Sequence, residues 1–186
     1  LMDTLAAYRA LRQVGYPPER IVLAGDSAGG GLTVATALAL RDEDEPPPVA
    51  LALLSPWLDL TLSGESITVN ASRDAMLHPG WPAVAADEYR AGRKVTTPGI
   101  SPLYAELTGL PPMDIQAAEN DLLVSDADRF VERARAAGVP VSYRRYTGLW
   151  HDFQLQAGLL READAALADL GLALDRRWED RQKPDW

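Results

Sequence analysis

Apolar and polar positions alternate along the chain in two rhythms. Leu5, Tyr8, Leu11 and Val14 recur at helical spacing and predict a helix over Met2 to Val14, closed by Gly15 and Pro17-Pro18. A short strand is expected at Arg20 to Ala24, then a helix rich in alanine and leucine as far as about Leu40. Asp42 to Pro48 is acidic and proline-rich, the composition of a solvated loop. Val49 to Leu54 is an unbroken apolar run, as in a strand buried on both faces of a parallel sheet. Further on, the pattern predicts strands at Met113 to Ala118 and Val141 to Tyr146. It predicts helices at Ser125 to Ala137, closed by Gly138, and at Leu159 to about Trp178, with Lys183 to Trp186 as a frayed tail.

Between these elements, Leu60 to about Pro98 is rich in Ser, Thr, Asn, Gly and Pro. It reads as a lid-like excursion from the sheet carrying one helix, about Pro82 to Ala91. Strand and helix otherwise alternate, which predicts an α/β domain over residues 1 to 186 with a mostly parallel sheet and helices on both faces. Ligands on such sheets gather at the carboxyl ends of the strands.

Gly25-Asp26-Ser27-Ala28-Gly29 stands at one such end, between strand and helix. This is the context of a nucleophile elbow, in which small neighbours admit a strained serine, here with glycine needed at 25 and 29. Gly30 and Gly31 would let the helix pack close to the sheet. A serine hydroxyl needs a general base, and the chain has two histidines. His78 lies in the excursion, whereas His151 follows the last strand and reaches the edge that carries Ser27. The acid that orients the base is Asp121 or Glu119, both directly after the strand ending at Ala118. Asp126 and Asp128 read as helix-capping and solvated charges.

Composition narrows the chemistry further. There is no cysteine, so disulfides and thiolate sites are excluded. Acids outnumber bases 27 to 18, and a net charge of -9 argues against nucleic acid and anionic membranes as partners. No apolar run approaches membrane-spanning length and no signal pattern opens the chain, so the expected location is the cytoplasm.

Several linked motifs resemble the hormone-sensitive-lipase-like bacterial esterases of the α/β-hydrolase fold. They are Gly25 to Gly30 at the elbow, Leu54-Ser55-Pro56-Trp57-Leu58-Asp59-Leu60 after the next strand, and Ile100-Ser101-Pro102-Leu103-Tyr104 on the return from the cap. The resemblance implies Ser27 as nucleophile, Asp121 as acid, His151 as base and the Ala28 N–H as an oxyanion donor, with Asp26 in support. It implies a short-chain ester as substrate and neither metal nor cofactor. Trp57, Trp81 and Trp150 either line the substrate pocket or pack as ordinary core or lid. The family's His-Gly-Gly-Gly segment is absent, so the chain reads as a C-terminal portion with a partial cap and an apolar sheet edge open to pairing with another copy. Two competing readings follow: a near-inactive remnant of such an esterase, or another acyl hydrolase or transferase on the same fold.

Overall fold

The computed structural model describes residues 1–182, so the expected tail at Lys183 to Trp186 lies outside the described residues. In chain order the elements are α1 (Met2–Gln13), β1 (Val22–Asp26), α2 (Ser27–Asp42), β2 (Ala50–Leu54), α3 (Ser66–Val69) and α4 (Gly80–Arg90). β3 (Met113–Ala118), α5 (Val124–Ala136), β4 (Val141–Tyr146) and α6 (Arg161–Gln182) complete the chain. The sheet order is β1-β2-β3-β4, with every neighbouring pair parallel.

Alternation along the strands assigns the two faces. Leu51 and Leu53 of β2, with Met113, Ile115 and Ala117 of β3, pack with Val34 and Leu38 of α2 and Phe130, Val131 and Ala134 of α5 in the main core. The alternate β3 residues meet α6. Gln116 Nε2 donates to the Ala166 carbonyl at 2.7 Å, and Arg177 reaches Asp114 at 3.2 Å. β1 is an edge strand and pairs with β2 alone among the described residues. No helix among the described residues is long and apolar enough to cross a membrane.

The excursion contains two helices where the sequence suggested one. The additional helix, α3, is four residues long, and its Ser-Ile-Thr-Val sequence has little helical propensity. Long-range bonds fix it instead: Ser66 Oγ donates to the Leu122 carbonyl at 2.6 Å, and Ser66 N donates to Ser125 Oγ at 3.0 Å.

Candidate active site

β1 ends in a tight reversal into α2. Ser27 sits at the turn with φ 49°, a left-handed conformation disfavoured for any residue with a Cβ. Gly25 is obligatory there, because a Cβ on it would lie 2.2 Å from the Gly29 carbonyl oxygen. Gly29 differs from the expectation: a Cβ at that position would meet only Asp26 Oδ1, at 3.4 Å. The tight approaches are at Gly30 and Gly31, where a Cβ would fall 2.7 Å from Pro56 Cβ and 2.3 Å from the Trp57 carbonyl oxygen. These glycines let α2 lie against the segment after β2, and Trp57 N donates to the Ser27 carbonyl at 2.8 Å across that contact.

Three strand ends then converge. Ser27 Oγ lies 2.9 Å from His151 Nε2, and His151 Nδ1 lies 3.0 Å from Asp121 Oδ1. His151 and Asp121 are fully buried, while Ser27 is partly open. Burial pulls the imidazole toward its neutral form, but hydrogen bonds and charge from Asp121 and Asp152 outweigh it and push its pKa up to about 10. Of the two acids left open by the sequence, Asp121 meets the ring. Glu119 Oε2 instead accepts from Gly148 N at 2.9 Å, in the loop leading to His151. His78 is exposed, and its Nδ1 accepts from Gly80 N at 3.3 Å at the start of α4.

The loop bearing Asp121 is gripped from the excursion. Asn70 Nδ2 donates to the carbonyls of Glu119 and Asp121 at 2.9 and 2.8 Å, and Leu122 N donates to Asp74 Oδ2 at 2.9 Å. Asn70 and Asp74 carry no sequence signal that separates them from ordinary loop residues. Asp152 does carry one, its position next to His151, and its Oδ2 lies 3.2 Å from His151 Nε2.

A cavity of about 170 Å³ opens beside Ala28, walled by Leu32, Trp57, Leu60, Tyr89 and Ile100. Trp57 is therefore a wall residue, and its indole N–H donates to the Asp59 carbonyl at 3.2 Å. Trp81 is not: it stands 73% exposed at the first turn of α4. Trp150 packs against the cluster of Leu149, Phe153 and Ala163 instead of this cavity. The Ala28 N–H belongs to the first turn of α2, where backbone donors have no carbonyl within the helix.

Asp126 differs from the helix-capping or solvated charge the sequence suggested, whereas Asp128 stays partly exposed but is engaged by β4. Asp126 is buried, and its Oδ2 accepts from Leu58 N at 3.0 Å and Asp59 N at 2.8 Å. Burial pushes its carboxyl up to about 7, against the lowering effect of those two bonds. Asp128 accepts from the Tyr143 hydroxyl at 2.6 Å and pairs with Arg145. Both side chains bridge α5 to other elements, which helical periodicity does not reveal.

The comparisons with known proteins agree with this architecture. A family model described as alpha/beta hydrolase fold matches residues 1–155. An esterase of Acinetobacter venetianus is 39% identical over 168 residues, covering 88% of this chain and 54% of the relative. An acetyl-hydrolase of Streptomyces hygroscopicus is 39% identical over 172 residues, covering 92% and 58%. The crystal structure of an esterase from the bacterial hormone-sensitive lipase family superposes with a TM-score of 0.93 at 42% identity, covering 95% of this chain and 60% of the other. The chain thus spans somewhat over half the length of the relatives it matches. It belongs to the hormone-sensitive-lipase-like family of the α/β-hydrolase fold.

Proposed function

We propose that the chain carries the catalytic centre of a carboxylic ester hydrolase, with Ser27 as nucleophile, His151 as base and Asp121 as orienting acid. The observation that carries this reading is the continuous contact from Ser27 Oγ through both ring nitrogens of His151 to Asp121 Oδ1. In the forward step Ser27 Oγ bonds to the ester carbonyl carbon while its proton passes to Nε2. The imidazolium so formed is held by Asp121 at Nδ1. Charge on the former carbonyl oxygen is met by the Ala28 N–H and the N-terminal dipole of α2. The tetrahedral adduct collapses, the bond to the alcohol breaks, and the alcohol leaves with the proton from Nε2. Water repeats the sequence on the acyl-serine and releases the acid.

The substrate class is a small ester with a short, uncharged acyl group. The apolar walls of Trp57, Leu60 and Ile100 beside Ala28 support it, since the acyl chain can enter there while the carbonyl stays at Ser27. The direct test is hydrolysis of p-nitrophenyl acetate and butyrate by the 186-residue chain, with Ser27→Ala as the matched control. Turnover that disappears in the control is the expected result. Equal rates from two soluble, folded proteins would overturn the reading.

A further inference from the structure

Asp152 turns its carboxylate back onto the ring of the preceding residue. Its Oδ2 lies 3.2 Å from His151 Nε2, the nitrogen that also meets Ser27 Oγ. The residue is 5% exposed, and Oδ1 is buried with no hydrogen-bond partner among the described residues. The backbone at Asp152 is left-handed, φ 47° and ψ 37°, and its N–H donates to Ser55 Oγ at 3.1 Å. Glycine would satisfy that backbone position without a Cβ.

The protonation states at Nε2 are restricted by this contact. A neutral ring protonated at Nδ1, toward Asp121, presents a lone pair at Nε2, and an ionised carboxylate presents lone pairs too. At hydrogen-bond distance the two repel unless a proton stands between them. We propose that Asp152 and Nε2 of His151 share one proton, which makes Asp152 a positioning residue that holds the base loaded until that proton leaves. The proposal rests on the reading of Ser27 as nucleophile and His151 as base. With the proton on Nε2, the ring is an imidazolium between two carboxylates. With the proton on Asp152, a neutral acid donates to a neutral ring. In both states the lone pair that must accept the Ser27 proton is occupied.

The surrounding charges favour keeping that proton. Asp121, from the loop after β3, holds Nδ1, and Asp26, at the end of β1, adds its charge beside Asp152. Burial raises the Asp152 carboxyl, and the nearby His151 opposes that rise. Ser27 and Ser55 contribute only hydroxyls, and the carboxylate of Glu119 is turned to Gly148 N. A half-open cavity of about 260 Å³, lined by Asp26, Leu54, Asp152, Gln154 and Leu155, adjoins Asp152 and offers the proton an exit that does not pass Ser27.

The chain's two histidines make the test direct. The ring signals of His151 are followed by NMR across pH in the parent chain, Asp152→Asn and Asp152→Gly, with His78→Gln fixing the assignment. The rate of Ser27 modification by a fluorophosphonate is measured over the same range. In that reaction the bond from Ser27 Oγ to phosphorus forms, the phosphorus–fluorine bond breaks, the serine proton goes to Nε2 and fluoride leaves. The His151 midpoint should fall by about one unit in both variants, and modification near neutral pH should rise about tenfold with it. An unchanged midpoint in both variants would overturn the proposal, as would slower modification at every pH without a midpoint shift. Should the Asn variant fail to fold, the Gly variant, which relieves the left-handed Cβ, decides alone. If the parent chain is modified no faster than Ser27→Ala, the esterase reading fails, and the NMR midpoint still decides whether the proton is shared.

Discussion

Replacing Asn70 by alanine should loosen the loop carrying Asp121 without touching the side chains of Ser27, Asp121 or His151. Asn70 is 3% exposed, and its single Nδ2 supplies the hydrogen bonds to the carbonyls of Glu119 and Asp121. Losing two such bonds costs about 1–3 kcal/mol, and the buried Asp121 carbonyl, left without this donor, adds to it. Other anchors limit the damage. Asn120 N donates to the Leu149 carbonyl at 2.9 Å, Leu122 N to Asp74 Oδ2 at 2.9 Å, and Leu123 N to Asp121 Oδ1 at 2.7 Å. The expected loss is therefore about 2 kcal/mol, a substantial share of the roughly 5–15 kcal/mol that holds a domain together. Urea unfolding of the parent chain, Asn70→Ala and Asn70→Asp measures it, with ester hydrolysis run beside it. The aspartate should be the worst, because it keeps the volume, loses both donors and sets a carboxylate against two carbonyl oxygens and near Asp121. An alanine variant within about 0.5 kcal/mol of the parent at unchanged turnover would refute the clamp, as would an aspartate variant more stable than the alanine.

Asp121→Asn should lower kcat by about 10³- to 10⁴-fold by freeing the tautomer of His151, whereas Glu119→Gln should change it by less than about threefold; comparable losses from both would reverse the assignment. Gly25→Ala should cost more than about 3 kcal/mol, since its Cβ meets the Gly29 backbone, while Gly29→Ala stays within about 1 kcal/mol; thermal melts of the pair report the contrast. Because the folded pKa of His151 is raised above 6.5, its stabilisation is fully present below about pH 6 and is lost as pH climbs toward about 10. His151→Gln should remove that part of the slope when unfolding is measured at several pH values across this window. The side of β1 that pairs with no strand among the described residues should associate with a second copy, and a single monomeric species in light-scattering chromatography would contradict this.

Much of the framework was legible because it is local. The buried run at Met113 to Ala118 and the alternating Val141 to Tyr146 are strands with the bounds their patterns predict. Strand β1 lies two residues further along than expected. Arg20 closes a short 3₁₀ turn, while parallel pairing with β2 carries the strand through Gly25 to Asp26, opposite Leu54. That shift is a property of the sheet, not of the residues in sequence. For the same local reason, the Gly-Asp-Ser-Ala-Gly turn and the histidine after the last strand pick out two residues that the structure brings together, Ser27 and His151. Asp126 illustrates the opposite case. It sits at a position where a capping acid is ordinary, yet it is buried because the backbone donors of Leu58 and Asp59, far away in sequence, converge on it. Helix α3 also depends on distant partners, and four residues with three β-branched side chains give no periodic signal of their own.

The same distant contacts account for how a strained serine is held at the mouth of a cavity. The positive φ of Ser27 must be stabilised by its surroundings, and the bond from Trp57 N to the Ser27 carbonyl is one such restraint. Trp57 can reach only because Gly30 and Gly31 leave room for the segment after β2. The next two residues of that segment donate their backbone N–H groups to Asp126, and Asp59 is in turn tied to Arg129 at 2.8 Å. One acid on α5 thereby fixes the segment that restrains the elbow and walls the cavity through Trp57 and Leu60. Further along, in the excursion that this segment leads into, Ser66, Asn70 and Asp74 grip the loop carrying Asp121. Ser27 and Asp121, which stand on different strand ends, are thus positioned by one stretch of chain, so a change in that stretch reaches both ends of the His151 hydrogen-bond line at once.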